Sequence, residues 1–404
     1  MMPPRLCGPA QAPDAGRRHR NLPVDFFRGL SLLMVFLIHT CAPLLLWLTT
    51  CRYGFSDPAE AFVFLSGYTA GLVSGTLLRQ GNWRGLSTRM LRQAGRVYVG
   101  HLALTALVLG GAALAWRVAG DAALATEMHL DQVLEAPGAV LVSALRLQFR
   151  PANLDVLPLF VVLFLAGPAV LIGLRRWPAW TVTASVAAYT AAQLWQLNLA
   201  GYAGTVWFFN PFAWQVLFCL GAACGLGLHR PRLARARGPL TVAALAVVVW
   251  SALVTLRWYI PALPDVVPGW LAPHLYPISK TDLAPVRLLH FLALAYLLGV
   301  RWPVRERILA SRVAQAVIAC GQHSLTIFGE GVLLSAGAEL ALHRVHSVPV
   351  ALGIALVGVA IQCGTAALLA RRGAPRHSTH SAPGTSIRAD AQAAVPAPSA
   401  RRAA

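Results

Sequence analysis

Ten apolar stretches recur along this 404-residue chain, most of them close to the roughly 20 residues a helix needs to cross a bilayer. They run Val24–Thr49, Ala59–Leu78, Tyr98–Val118, Asn153–Leu174, Ala179–Leu199, Pro211–Leu228, Pro239–Ile260, Val286–Val300, Ala314–Leu340 and Val348–Ala370. The eighth is short. Hydrocarbon offers a backbone no hydrogen-bond partners, so segments of this kind close their own bonds as helices. The expected architecture is therefore all-α: a polytopic membrane helix bundle with about ten transmembrane helices. A further apolar piece, Val133–Leu147, contains Pro137 and is flanked by charge. It reads as an amphipathic or re-entrant segment.

The linkers orient these spans. Arg79, Arg84, Arg89, Arg92 and Arg96 follow the second span, and Arg175 and Arg176 follow the fourth. Arg230, Arg232, Arg235 and Arg237 follow the sixth, and Arg301, Arg305, Arg307 and Arg312 the eighth. Alternate linkers are poor in arginine, and the longest carries Asp121, Glu127, Asp131 and Glu135. Basic loops stay on the cytoplasmic side. Both termini are then expected in the cytoplasm, with an even number of spans between them.

Composition agrees. Charged residues are 12% of the chain and hydrophobic ones 57%, against about 25% charged in a soluble domain. The formal net charge of +19 raises the question of nucleic acid. The arginines instead sit in short clusters between apolar runs, which is a topology signal, so no nucleic-acid partner is expected. Residues 1–21 are basic and irregular, and 372–404 are rich in Ala, Pro, Ser and Arg. Both read as disordered cytoplasmic tails around a membrane domain spanning 22–371.

Gly67, Gly71 and Gly75 fall on one face of the second span, and Gly221 and Gly225 on one face of the sixth, a spacing that lets helices approach closely. Ionisable groups within spans are costly and mark function more often than chance. Arg28 and His39 share the first span, eleven residues or about 16 Å apart along a helix, which puts His39 near mid-membrane. Asp57 and Glu60 open the second span, with Ser66 and Tyr68 further in. Asn153 and Asp155, Asn210 and Gln215, and Arg287 and His290 mark further outer ends, and His323, Ser324 and Glu330 lie in the ninth span. Each has a plainer reading: Asp57 and Asn210 as helix caps, Glu60 as a first-turn acid, Asp25 with Arg28 as an interfacial ion pair. Together they describe a polar cavity open outward, with His39 at its floor.

A neutral histidine there suits general-base work, and an arginine toward the cytoplasm suits a phosphate- or CoA-bearing donor. No Walker motif, GxGxxG loop, GxSxG elbow or metal-ligand cluster is present. Neither a metal nor a resident cofactor is expected.

Six ordered blocks, DFFRGLSLLMVFLIH, GFSDPAEAFVFLSGYTAG, NLDVLPLF, FFNPFAWQVLFCLGA, RLLHFLALAYLL and GQHSLTIFGEGVLLS, resemble the signature blocks of the OpgC family over roughly 22–370. That family is related to the acyltransferase-3 superfamily. The resemblance implies a ten-helix bundle that transfers an acyl group, succinyl in the namesake proteins, to periplasmic glucans. Arg28 and His39 match the superfamily's Arg-x10-His motif, which implies donor binding and catalysis. The superfamily commonly has an acid just before that histidine; here the position is Ile38.

The reading is thus an O-acyltransferase of the bacterial inner membrane, with an acyl-CoA such as succinyl-CoA arriving from the cytoplasm and a glucan or other polysaccharide accepting outside. His39, Arg28 and Glu60 are the expected catalytic residues. Asp57, Ser66, Tyr68, Asp155, Asn210, Arg287 and His290 are the expected substrate-binding ones. Glu60 or Asp155 is the expected acid for His39. The competing reading is a transporter or flippase of a glycosylated or acylated substrate, since intramembrane charges mark its paths too.

Overall fold

A computed structural model describes residues 21–40, 44–119, 130–151, 153–228, 236–342 and 347–373. The tails and several arginines and acids of the linkers, among them Asp121, Glu127, Arg230, Arg232 and Arg235, lie outside them. Fifteen α-helices follow in order among the described residues: α1 Leu22–Ile38, α2 Pro58–Arg79, α3 Trp83–Ala119, α4 Leu130–Glu135, α5 Pro137–Leu145, α6 Val156–Arg176, α7 Pro178–Trp195 and α8 Pro211–Gly225. Then come α9 Arg237–Arg257, α10 Ala272–Leu275, α11 Pro285–Tyr296, α12 Glu306–Leu309, α13 Arg312–Gln322, α14 Ser324–Leu342 and α15 Val348–Gly373. The one β-type pairing among the described residues is an isolated bridge, Ala200 to Val206.

Six of these helices, α2, α3, α6, α9, α14 and α15, are long and apolar enough to cross a membrane. The other four expected spans fall on shorter elements. α7 has 18 residues, α1 has 17, α8 has 15, and α11 has 12 before a π-helical stretch at Leu297–Arg301.

Three segments differ from their expected form. α1 ends at Ile38, with His39 as its C-cap, and residues 45–52 form two short 3-10 turns instead of prolonging the helix to Thr49. His39 therefore stands at a helix end and not inside a longer run. The ninth span is divided at His323 into α13 and α14. Val133–Leu147 becomes two short helices, α4 and α5, meeting at Ala136 just before Pro137, because the residue before a proline is pushed out of the helical region.

Helix starts follow local chemistry. The Asp57 side chain accepts from Ala59 N–H, Glu60 reaches back to Asp57 N–H, and Pro58 occupies the first turn of α2. Asn210 caps α8 ahead of Pro211 in the same manner. Proline is tolerated there because its missing N–H would have had no helical partner.

Glycines set the tightest contacts. A Cβ on Gly67 would overlap the Phe218 carbonyl and one on Gly71 the Ala222 carbonyl; reciprocally, Gly221 abuts Phe64 and Gly225 abuts Tyr68. Positions advance together on the two helices, so α2 and α8 run parallel, backbone against backbone. Likewise Gly29 abuts Val317 and Gly321 abuts Asp25, which pairs α1 with α13. Beyond the break, Arg28 bonds Ser324, and Phe36 lies beside Gly331. α1 thus also runs alongside α14 in the same direction. α6 packs against α2 and α8 through aromatic rings: Phe62 lies edge-on to Phe160 at 5.2 Å, and Phe164 edge-on to Phe218 at 6.0 Å, geometries favoured by the ring quadrupoles.

Candidate active site

The start of α2 meets the start of α11 in a buried cluster of charges. Arg287 Nε donates to Glu60 Oε1 at 2.8 Å, and its Nη2 lies 2.6 Å from the same oxygen and 3.1 Å from Asp57 Oδ2. Glu60 Oε2 accepts the Asp57 N–H at 2.9 Å. Lys280 completes the set, with Nζ 2.7 Å from Asp57 Oδ2. Glu60 is 0% exposed. Two anions face two cations, so the cluster balances its own charge, as buried ions must. Burial alone would push the Asp57 carboxyl up, but Lys280 and then Arg287 outweigh it and hold the group well below the usual carboxylate range.

His290, one turn beyond Arg287, joins by another route. Its Nδ1 accepts the Ser56 N–H at 3.2 Å and lies 2.7 Å from Ser56 Oγ. A backbone N–H can only donate, so the ring proton belongs on Nε2. That nitrogen is buried without a partner among the described residues and faces Gly54, where any Cβ would overlap the ring. Phe55 packs edge-on to the same imidazole at 6.2 Å.

Lys280 is the residue that reading the sequence missed, although it is the only lysine among 34 basic residues. Its loop is sewn down from two helices. Tyr189 Oη of α7 donates to the Leu283 carbonyl at 2.9 Å, and Gln193 Nε2 donates to the Asp282 carbonyl. From α8, the fully buried Trp214 donates through Nε1 to the Lys280 and Thr281 carbonyls, while Asn210 Nδ2 donates to Asp282 Oδ1 at 2.9 Å. Phe208 and Phe209 flank the ammonium, their ring centroids 5.8 and 5.6 Å away. The Lys280 side chain remains 29% exposed, so it forms the accessible end of the cluster.

His39 takes no part in this bonded network. Its ring is half-buried and makes no hydrogen bond to a described residue. Lys280 and Asp57 lie near enough for their charges to act on it, in opposite directions. Arg28, on the same helix, donates from Nη2 to Ser324 Oγ at 2.8 Å, while its Nε is buried without a described partner. Ser324 opens α14, so the break in the ninth span sits at the level of Arg28.

Asp57, Glu60, Arg287 and His290 therefore converge, with Lys280 added. The remaining expected residues do not join them. Asp155 pairs with Arg150 at 3.0 Å, beneath a guanidinium that lies 5.3 Å from the Trp207 ring. Asn210 is committed to capping α8 and holding the Lys280 loop. Ser66 Oγ donates back to the Phe62 carbonyl in its own helix, and Tyr68 is half-buried with its backbone against Gly225. Glu60, expected as a catalytic acid, has both oxygens engaged and no exposed surface.

Chemically, the site offers one half-buried imidazole beside a fixed, self-neutralised ion cluster. Among the described residues no three His, Cys, Asp or Glu side chains stand close enough to hold a metal ion. Comparison with curated proteins and with solved structures gives no match. A protein-family model described as OpgC protein does match, over residues 20–373, and so across most of the 404 residues. The chain belongs to the OpgC family.

Proposed function

We propose that this protein is an integral-membrane O-acyltransferase that moves an acyl group, succinyl by family resemblance, from an acyl-CoA to a hydroxyl of an extracytoplasmic glucan. The reading places it in the bacterial inner membrane with both tails in the cytoplasm. Membership of the OpgC family points to a membrane glucan-modifying acyltransferase. The observation that carries the finer reading is the placement of Arg28 and His39 at two levels of α1, with the His39 ring uncommitted while its charged neighbours are locked together.

In this scheme the donor's thioester reaches His39 from the Arg28 side and the sugar from the opposite side. His39 takes the hydroxyl proton as the oxygen attacks the thioester carbonyl. The new C–O bond forms, the C–S bond breaks, and the departing thiolate receives the proton from the imidazolium. Asp57, whose carboxylate acts on the ring, favours the positive charge that appears on it, while the Lys280 ammonium opposes that charge and so keeps the resting imidazole neutral. Glu60, Arg287 and His290 hold Asp57 and the Lys280 loop in register without touching substrate.

Reconstituted protein given labelled succinyl-CoA and glucan tests this. The expected result is label on the glucan, lost in His39→Ala at normal insertion. Solute flux across the liposome without acylation would instead establish the transporter reading, and undiminished acylation by His39→Ala would remove His39 from the chemistry.

A further inference from the structure

Away from the charge cluster, three polar atoms are buried without a partner among the described residues where α14 and α15 meet. They are both amide atoms of Gln362, a residue with 0% exposure, and Glu330 Oε2. The other Glu330 oxygen accepts from Thr365 Oγ1 at 2.7 Å, and Thr365 shares a face of α15 with Gln362. The Gln362 Nε2 atom stands 3.0 Å from where a Cβ on Gly331 would be, so the amide packs close against a residue that has no side chain. Burying a carboxamide with nothing to bond is costly, whereas an apolar side chain of the same size would cost nothing of that kind.

The height of this group is fixed by its neighbours. Arg28 meets Ser324, Phe36 meets Gly331, and α1 and α14 run in the same direction. Gln362 and Glu330 therefore lie between Arg28 and His39, about 12 Å along α1 from the arginine. The unpartnered atoms comprise an N–H donor, a carbonyl acceptor and a carboxylate acceptor. An anion would be repelled by Glu330, which makes no ion pair with a described residue. A group carrying its own N–H and C=O, a secondary amide, satisfies both kinds.

We infer that Gln362, with Glu330 and Thr365, forms a subsite for the amide-bearing arm of the acyl-thioester donor between its Arg28 end and the reacting carbonyl at His39. This rests on the donor proposed above. The side chains grip the arm by hydrogen bonds that water occupies when the donor is absent.

The test compares wild type with Gln362→Met in liposomes. Binding is measured by calorimetry for coenzyme A and, separately, for its nucleotide half, 3′-phospho-ADP, which lacks the amide arm. The expected result is an affinity for coenzyme A about tenfold weaker in the variant, equivalent to one or two lost hydrogen bonds. The nucleotide half should bind equally to both proteins, and thermal unfolding should be unchanged or raised. Equal affinity for coenzyme A in the two proteins overturns the subsite and leaves a buried water only. An equal loss for both ligands overturns it too, because the amide arm is then not what is read. If wild type binds coenzyme A and acylates glucan and Gln362→Met does both with unchanged affinity and rate, the subsite alone falls. If wild type neither binds nor acylates, the donor reading falls with it.

Discussion

Lys280 Nζ stands 2.7 Å from Asp57 Oδ2, which ties the chain's single lysine to the carboxylate that caps α2. The other Asp57 oxygen takes the Ala59 N–H, so one side chain both starts the helix and anchors the Lys280 loop. Lys280 and Asp57 act on His39 in opposite directions, so on the proposed reading the pair balances the charge beside the catalytic imidazole. Lys280→Met should leave the protein inserted and lower acyl transfer by about tenfold or more. Lys280→Arg should recover part of the loss. Initial rates with both variants at matched expression decide it, and a Lys280→Met enzyme at full rate would detach the pair from catalysis.

Arg287 neutralises two buried carboxylates at once. Removing it as Arg287→Ala should destabilise the protein by about 3–5 kcal/mol, the cost of leaving a buried charge unpaired. The double variant Arg287→Leu with Glu60→Leu should regain much of that, because the orphaned anion goes too. Thermal unfolding in detergent reads both. Additive losses would mean the two side chains are not coupled.

Acid should spare the Asp57 carboxylate at first. The Asp57 carboxyl is held below its ordinary value, so its contribution to stability is complete above the unfolded value of roughly 3.9 and drains away only as pH falls from there toward the folded value. Between pH 7 and 5 an Asp57→Asn variant should therefore lie below wild type by a constant margin. The gap should close only at lower pH, as unfolding curves across that range would reveal.

Gly54 faces the His290 ring with no room for a methyl group. Gly54→Ala should cost about 1–3 kcal/mol through overpacking and should disturb the Ser56 contact that fixes the ring. A lowered unfolding temperature is the expected readout.

Gly67→Val should separate α2 from α8 and sharply reduce folded yield, since the Phe218 carbonyl occupies that space. Gly95→Ala serves as the control. Nothing lies within 4 Å of a Cβ there, and alanine is the better helix former by about 1 kcal/mol. Size-exclusion profiles of the two variants should therefore diverge.

Much of this arrangement was legible in the sequence because it rests on local chemistry. Asp57, Pro58 and Glu60 spell a capping box, Asn210 before Pro211 spells a cap, and glycines four apart spell close packing. What failed was of another kind. The run after His39, with Leu44, Leu45, Leu46, Trp47 and Leu48, is as apolar as a helix, so hydropathy conceals that it folds into short turns; Pro43 was the available warning. The break at His323 was hidden by the same continuity. The pairing of Glu60 with Arg287 was out of view because the two lie 227 positions apart, a separation no spacing rule bridges. Lys280 carried a signal that went unread: one lysine where every other basic side chain except histidine is arginine.

The glycine contacts divide the bundle in a way that bears on how it works. One rigid post is α1 locked to α13, carrying Arg28 and His39; the other is α2 locked to α8, carrying Asp57 and Glu60. The groups of the candidate site are thus carried on two separate backbone-on-backbone pairs, so a side chain added at Gly29 or at Gly67 would displace one set of groups relative to the other.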